Sequence, residues 1–185
     1  EMTQEEYARL IRTAQHQGNE KLSCLIQTLG STGIRISELR HITVESLRFD
    51  MAEIHNKGKM RRILYPGELQ KLLKKYAKKE KIESGPIFRS RSGKPLDRSN
   101  IWRMMKRLSH AAKVDAAKVY PHSMRHLFAR CFYKIKKDIA KLADVLGHSS
   151  IEITRIYIKS TGREHKRQLD SMRLVIGDGE QKKTT

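Results

Sequence analysis

The chain has 185 residues, 38% of them hydrophobic, which suffices for one folded domain with a real core. Lysine and arginine number 39 against 20 acidic residues, and the net charge of +19 favours a polyanionic partner such as nucleic acid over a merely basic soluble protein. Two cysteines without ligand-like spacing, Cys24 and Cys131, argue against a disulfide scaffold and indicate a reducing, cytoplasmic compartment, and no apolar run is long enough to span a membrane.

The N-terminal part of the chain predicts helices. Thr3 and Glu6 have the spacing of a capping box, and apolar residues follow at helical intervals. A second amphipathic helix follows and is expected to end at Gly30 or Gly33, because glycine favours the left-handed conformation after a helix. A short helix is predicted to begin at Ser37.

The helical pattern breaks off in the next segment. Met51 to His55 and Met60 to Tyr65 read as two strands, and the turn Asn56-Lys57-Gly58-Lys59 between them suits a hairpin. Pro66-Gly67 then opens a strongly basic helix that we predict over Glu68 to Lys81.

The C-terminal part again predicts helices. One runs from Ser99 to about Lys113, and Pro121 suits the first turn of the next. Asp138 can cap a helix over Ile139 to Leu146, which Gly147 ends.

A last amphipathic helix is predicted over residues 163–174, and the polar tail at 177–185 is expected to be disordered. The chain starts at Glu1 rather than at methionine, which predicts a fragment that has lost an N-terminal segment. The fold class expected is mainly α with a small antiparallel sheet, formed as one domain over residues 1–176.

Six residues spread along the chain form the candidate site, and they are Arg35, Lys57, His122, Arg125, His148 and Tyr157. Tyr157 follows His148 by nine positions, and most of the six sit in distinctive local strings. These strings are Gly33-Ile34-Arg35-Ile36-Ser37-Glu38-Leu39, Lys57-Gly58-Lys59, His122-Ser123-Met124-Arg125-His126 and Leu146-Gly147-His148-Ser149-Ser150.

These residue types suit covalent attack on a phosphodiester. Tyr157 supplies a hydroxyl nucleophile, and the phosphotyrosine that it forms keeps the bond energy for rejoining. Arg35 and Arg125 suit the non-bridging oxygens, because a guanidinium is always charged and binds phosphate in a planar fork. His148 can donate a further hydrogen bond to the same oxygens.

Proton transfer falls to a histidine and a lysine. His122 can accept the tyrosine proton, since an imidazole with a pKa of about 6.5 is accessible in both states. Lys57 on the hairpin turn can protonate the leaving 5′ oxygen, with Lys59 as the alternative on the same turn. No metal or other cofactor is expected, because the basic groups already neutralise the phosphate.

Two further residues are predicted to support this set. Glu38 is expected to orient Arg35 or to cap a backbone group, and His126 to pack beside the site. His122 and His126 have the spacing of a zinc-binding helix, but the glutamate of that motif is absent because Ser123 follows His122. DNA contacts are predicted for Lys59, Arg61, Lys71, Lys74, Lys75, Lys78, Arg103, Lys106 and Arg107. Those of the basic helix, Lys106 and Arg107 are expected to be non-specific contacts to phosphates, with Arg103 as the exception suited to a guanine edge.

The motifs, in this order, resemble the catalytic domain of the tyrosine recombinases, the phage-integrase family. The resemblance covers nearly the whole chain and implies the catalytic set Arg35, Lys57, His122, Arg125, His148 and Tyr157. It also implies an N-terminal DNA clamp domain outside this fragment, double-stranded DNA sites as substrates, and four protomers that exchange strands through a Holliday junction. The last helix is suited to docking on a neighbouring protomer or to packing on its own domain.

A mobile-element integrase is the preferred member of this family, from overall resemblance. A type IB topoisomerase, with similar chemistry, is the alternative enzyme. A DNA-binding accessory protein without catalysis is the alternative of a different class, and the complete set of six residues argues against it.

Overall fold

A computed structural model describes residues 1–56, 58–158 and 162–174, apart from the side chains of residues 56 and 162–165. Its regular elements are, in chain order, α1 Gln4–His16, α2 Glu20–Thr32, α3 Val44–Leu47, β1 Met51–Asn56, β2 Lys59–Leu64, α4 Gly67–Lys79, α5 Arg98–Ala111, α6 Pro121–Lys136, α7 Ile139–Leu146, α8 Ile151–Arg155 and α9 Gly162–Ser171. Two short 3-10 helices add Ile36–His41 and Ala116–Lys118. The expected class, mainly α with a small antiparallel sheet, is confirmed.

Helix α2 is the centre of the main core. It packs against α1, α4 and α6, and its apolar residues Leu22, Leu25, Ile26 and Leu29 are almost wholly buried. The helix ends at Gly33, whose φ of 64° lies in the left-handed region, as glycine permits. The chain then turns directly into the 3-10 helix that begins after Arg35.

The hairpin closes the other side of this core. Its strands pair in antiparallel register from Met51 with Leu64 to Asn56 with Lys59, within one residue of the predicted bounds. Ala52, Ile54 and Ile63 point inward and are buried, in keeping with the two-residue period of a strand. These three residues join the hairpin to the main core.

A smaller apolar cluster lies beyond the main core. Residues of α6 and α7 form it together with Tyr157, and its buried members are Ala129, Leu142, Leu146 and Tyr157. The predicted Pro121 start of α6 and the Asp138 cap of α7 are both confirmed. Helix α8 was not predicted, because five residues are too few for a periodic signal.

The other differences from expectation are small. The basic helix ends at Lys79 and α9 at Ser171, earlier than predicted. The tail predicted to be disordered, 177–185, lies outside the described residues. In the part of the chain that the structure describes, no helix is both long and apolar enough to cross a lipid bilayer.

Candidate active site

Five of the six predicted site residues come together beside an open cleft. The cleft has a volume of about 840 Å³, and residues 34–37, the start of α6 and the exposed face of α5 line it. Arg35, His122 and Arg125 are among the lining residues. His148 contacts Arg125, and Tyr157 contacts His122. The sixth, Lys57, lies outside the described residues, but the hairpin that carries it is in place.

Arg125 is the buried anchor of the site. Its side chain is 1% exposed, and Nη1 donates to the carbonyl of Gly33 at 2.5 Å while Nη2 donates to that of Leu146 at 2.7 Å. It therefore joins the end of α2 to the end of α7 through α6. Burial, followed by the charge of Arg35, lowers the pKa of Arg125 to about 10, which leaves the guanidinium charged at neutral pH.

His148 lies between Arg125 and a residue that the sequence did not single out. Its Nε2 is 2.9 Å from Nη2 of Arg125, and its Nδ1 is 2.8 Å from Oγ1 of Thr154. Thr154 is fully buried on α8. Burial, followed by the nearby charges of Arg125, Arg35 and Arg61, lowers the pKa of His148 to about 4. The imidazole is therefore neutral at neutral pH.

The tyrosine hydroxyl points at the predicted base. Oη of Tyr157 is 3.2 Å from Nε2 of His122, which lies in the first turn of α6. Burial, followed by the charges of Arg125 and Arg35, lowers the pKa of His122, which favours the neutral ring. The ring of His126 packs against both Tyr157 and His122, with centroids 4.2 Å and 4.8 Å away. His126 therefore packs beside both His122 and Tyr157.

Glu38 holds Arg35, which lies at the mouth of the cleft, through hydrogen bonds to its backbone and side chain. Its carboxylate accepts from the backbone N–H of Arg35 at 2.7 Å and from the Arg35 guanidinium at 3.3 Å. Burial acts to raise the pKa of Glu38, but hydrogen bonds from Arg61 and Arg35 outweigh it, and the pKa is lowered. Arg35 itself is 44% exposed and so remains available to a ligand.

Arg61, for which the sequence predicts a DNA contact, is bound within the protein in this structure. Its guanidinium turns inward, donating to both carboxylate oxygens of Glu38 at 2.5 Å and to the carbonyl of Val145 at 2.9 Å. The side chain is 14% exposed and passes beneath Gly147, where a Cβ would lie 2.5 Å from Arg61 Cδ. Arg61 therefore ties strand β2 to the segment that carries His148.

We expect Arg61→Ala to destabilise the fold by about 3–5 kcal/mol, because it leaves the Glu38 carboxylate buried without its main partner. Arg62→Ala is the matched control on the same strand. Arg62 pairs with Glu53 at the surface, where both side chains are about half exposed, and such a pair contributes only ~0–1 kcal/mol. The free energy of unfolding in denaturant measures both changes. Equal losses in the two variants would contradict the inward role of Arg61.

Lys106, another residue predicted to contact DNA, also makes contacts within the protein. The ammonium of Lys106 donates to the carbonyl of Ala116 and lies over the rings of Trp102 and Tyr120, 5.3 Å and 5.8 Å from their centroids. The Lys106 side chain is therefore half-buried and engaged within the protein. The remaining predicted contacts have exposed side chains: Lys59, Lys71, Lys74, Lys75, Lys78, Arg103 and Arg107.

The cleft also carries two aromatic residues that the sequence analysis passed over. Trp102 is 51% exposed and Tyr120 is 36% exposed, and both line the cleft with Arg98 and Arg103. Single aromatic residues carry no distinctive signal in a sequence, so only the fold could place these two at one cleft. Among the described residues, no group of three or more histidine, cysteine or acidic residues has metal-binding geometry.

Comparison with known proteins places this arrangement in a family. A model of the phage integrase family matches residues 1–164. A tyrosine recombinase of Agathobacter rectalis is 34% identical over 142 residues, which cover 73% of this chain and 46% of that protein. The chain thus spans about half the length of this curated relative.

Solved structures share the fold. The crystal structure of XerA recombinase matches with a TM-score of 0.78 and 25% identity, over 95% of this chain and 64% of that chain. The Tn1549 transposon integrase in complex with transposon right end DNA matches with a TM-score of 0.74 and 20% identity, over 92% of this chain and 65% of that chain. Since the family model covers most of the residues, including every predicted catalytic position, the chain belongs to the phage integrase family.

Proposed function

We propose that this chain is the catalytic domain of a site-specific DNA recombinase that cuts and rejoins strands through a 3′-phosphotyrosine. The observation that carries the proposal is the 3.2 Å approach of Tyr157 Oη to His122 Nε2, beside two arginines at one cleft. A hydroxyl next to a neutral base is an activated nucleophile, and arginines are the side chains best suited to a phosphate.

The reaction balances without an outside reagent. Tyr157 Oη bonds to phosphorus as the bond to the 5′ oxygen breaks, and the tyrosine proton passes to His122. Arg35 and Arg125 stabilise the charge on the non-bridging oxygens, where losing one donor typically costs ~100- to 1000-fold in rate. The leaving oxygen takes a proton from the hairpin lysine. Rejoining reverses each of these steps with a new 5′ hydroxyl.

We expect Lys57→Ala to slow cleavage strongly when the leaving group is an ordinary 5′ oxygen, and much less when it is a 5′ sulfur. Sulfur leaves without protonation, so a general acid is then dispensable. Single-turnover cleavage of the two substrates measures the difference. Lys59→Ala is the matched control on the same turn, and sulfur rescue of that variant instead would move the role to Lys59.

The basic surface outside the cleft is proposed to bind DNA through its phosphates. On α4 the side chains of Lys71, Lys74, Lys75 and Lys78 are exposed, and none of these four lines the cleft. Flexible lysines suit backbone neutralisation better than base recognition. Arg103, at the cleft on α5, is the residue best placed to pair with a guanine edge.

We expect replacement of these α4 lysines by alanine to weaken binding to all duplexes alike and to flatten the salt dependence of binding. Each phosphate contact contributes about −0.9 to the slope of log affinity against log salt. The variant combines Lys71→Ala, Lys74→Ala, Lys75→Ala and Lys78→Ala. A control of equal charge replaces the exposed Lys113, Lys134, Lys136 and Lys141. An unchanged slope in the α4 variant would show that α4 faces solvent.

The whole protein is proposed to act on double-stranded DNA as four protomers that exchange strands through a Holliday junction, with an N-terminal clamp domain preceding this catalytic domain. The transposon integrase of the same fold, solved on DNA, supports DNA as the partner and a mobile element as the source. Exposed Leu169, Met172 and Leu174 near the end of the described chain support docking of the last helix on a neighbouring protomer. Strand exchange between two sites separates this recombinase from a topoisomerase.

Covalent capture from a random pool tests the proposal and selects the target sequence in the same experiment. The chain is incubated with a pool of randomised duplexes that carry a nick beside the random segment, and complexes are stopped in detergent. We expect a subset of sequences to be enriched as protein-linked DNA with a free 5′ hydroxyl. No protein-linked DNA above the background of unreacted pool would overturn the proposed function.

A further inference from the structure

Thr154 contacts both a catalytic ring and the backbone of the nucleophile. The residue is fully buried, and its Oγ1 lies 2.8 Å from Nδ1 of His148. Its carbonyl accepts the backbone N–H of Tyr157 at 3.0 Å. Since no solvent reaches this side chain, water cannot replace its hydroxyl as the partner of the imidazole.

The hydrogen bonds around His148 define which ring nitrogen carries its proton. Nη2 of Arg125 lies 2.9 Å from Nε2, and a guanidinium has donors only. Nε2 must therefore accept, which requires a neutral ring with its proton on Nδ1. That N–H then donates to the hydroxyl oxygen of Thr154.

This tautomer is the wrong one for the proposed reaction. A histidine that donates to a non-bridging phosphate oxygen needs its proton on Nε2, the nitrogen that faces Arg125. We propose that Thr154 is a positioning residue that serves both tautomers of His148. In the free protein its hydroxyl accepts from Nδ1, and with a phosphate bound it rotates and donates to Nδ1. This inference rests on the proposed function.

The exchange conserves charge and atoms. Nε2 first takes a proton from water in the cleft, and the short-lived imidazolium then loses the Nδ1 proton to water when the ring turns away from Thr154, so the ring is neutral before and after the exchange. The Nη2–H of Arg125 no longer donates to Nε2 and donates to the phosphate instead. A hydroxyl suits this exchange because it is both donor and acceptor and reorients about one C–O bond, whereas a carboxylate or a carbonyl only accepts. In the free protein, the hydrogen bond from Arg125 to Nε2 therefore holds the neutral ring of His148 in place until DNA binds.

Two variants of similar size separate the hydroxyl from its packing. Thr154→Val removes the hydroxyl and keeps the branched shape, and Thr154→Ser keeps the hydroxyl and loses a methyl group. For histidines that bind a metal, loss of the partner that orients the ring typically costs roughly 10- to 100-fold, and we take the same range for His148. We expect Thr154→Val to slow covalent capture of the selected duplex by such a factor, and Thr154→Ser to remain near the wild-type rate. In a His148→Ala background, Thr154→Val should add no further loss.

The tautomer itself is read from the ring ¹⁵N shifts of His148, in Tyr157→Phe protein free and bound to the selected duplex, so this readout needs no Thr154 variant to fold. We expect the proton on Nδ1 in the free protein and on Nε2 in the complex. The same tautomer in both states, a doubly protonated ring in the complex, or equal rates for Thr154→Val and Thr154→Ser would overturn the inference. Wild-type capture persists in each of those outcomes, whereas its absence would be a failure of the proposed function.

Discussion

Tyr157→Phe is expected to abolish the covalent link to DNA and to leave DNA binding unchanged. The substitution removes only the hydroxyl, which points at His122 at 3.2 Å, while the ring keeps its place in the apolar cluster of α6 and α7. Without Oη no bond to phosphorus can form, so the expected loss is complete. Detergent-resistant complexes on a denaturing gel measure linkage, and a gel shift of the same duplex measures binding.

A matched control comes from another tyrosine at the same cleft. Tyr120 precedes α6 and lines the cleft, and its hydroxyl has no role in the proposed chemistry. Tyr120→Phe should therefore form the link at the wild-type rate. Persistence of the covalent complex in Tyr157→Phe, or its loss in Tyr120→Phe, would take the nucleophile away from Tyr157.

Arg125→Lys is the second large effect that we expect. Lysine keeps the charge, but it cannot donate at once to the carbonyls of Gly33 and Leu146 and to Nε2 of His148. Each buried carbonyl left without a donor costs about 1–3 kcal/mol of stability. Loss of the fork at the phosphate should slow cleavage by ~100- to 1000-fold.

The control for this variant lies on the same helix. Arg130 of α6 donates to the carbonyl of Met2 and pairs with Glu1, away from the cleft. Arg130→Lys should leave single-turnover cleavage close to wild type. Rates are compared at a temperature where both variants are folded by circular dichroism, and a folded Arg125→Lys with a wild-type rate would remove Arg125 from the chemistry.

Local signals in the sequence predicted the helices and the hairpin well. The capping box of Thr3, the proline that begins α6 and the glycine that ends α7 each act within a few residues of their own position, so the sequence exposes them directly. The motif strings also located five residues that the fold brings to one cleft. The short helices α3 and α8 and the 3-10 helix Ala116–Lys118 were not predicted, because their length gives no periodic pattern. The short helix predicted from Ser37 is observed as the 3-10 helix Ile36–His41.

The partners of the site residues could not be predicted in the same way. Arg61 and Glu38 are 23 positions apart, and nothing in the hairpin distinguishes the inward Arg61 from the outward Arg62 except strand register. Burial of Thr154 depends on how α8 packs behind His148, and Lys106 turns to a carbonyl ten positions away. Charge predicts a polyanionic partner, but it could not tell which cations the fold uses for itself.

Mapping the linked residue tests the central claim most directly. Captured complexes are digested with nuclease and trypsin, and the peptide that retains a nucleotide is identified by mass spectrometry. Cleavage after Arg155 and Lys159 releases Ile156-Tyr157-Ile158-Lys159, which is short enough to assign without ambiguity. We predict a 3′-linked nucleotide on this peptide at Tyr157. A nucleotide on a peptide that carries Tyr120 or Tyr133 would contradict the account.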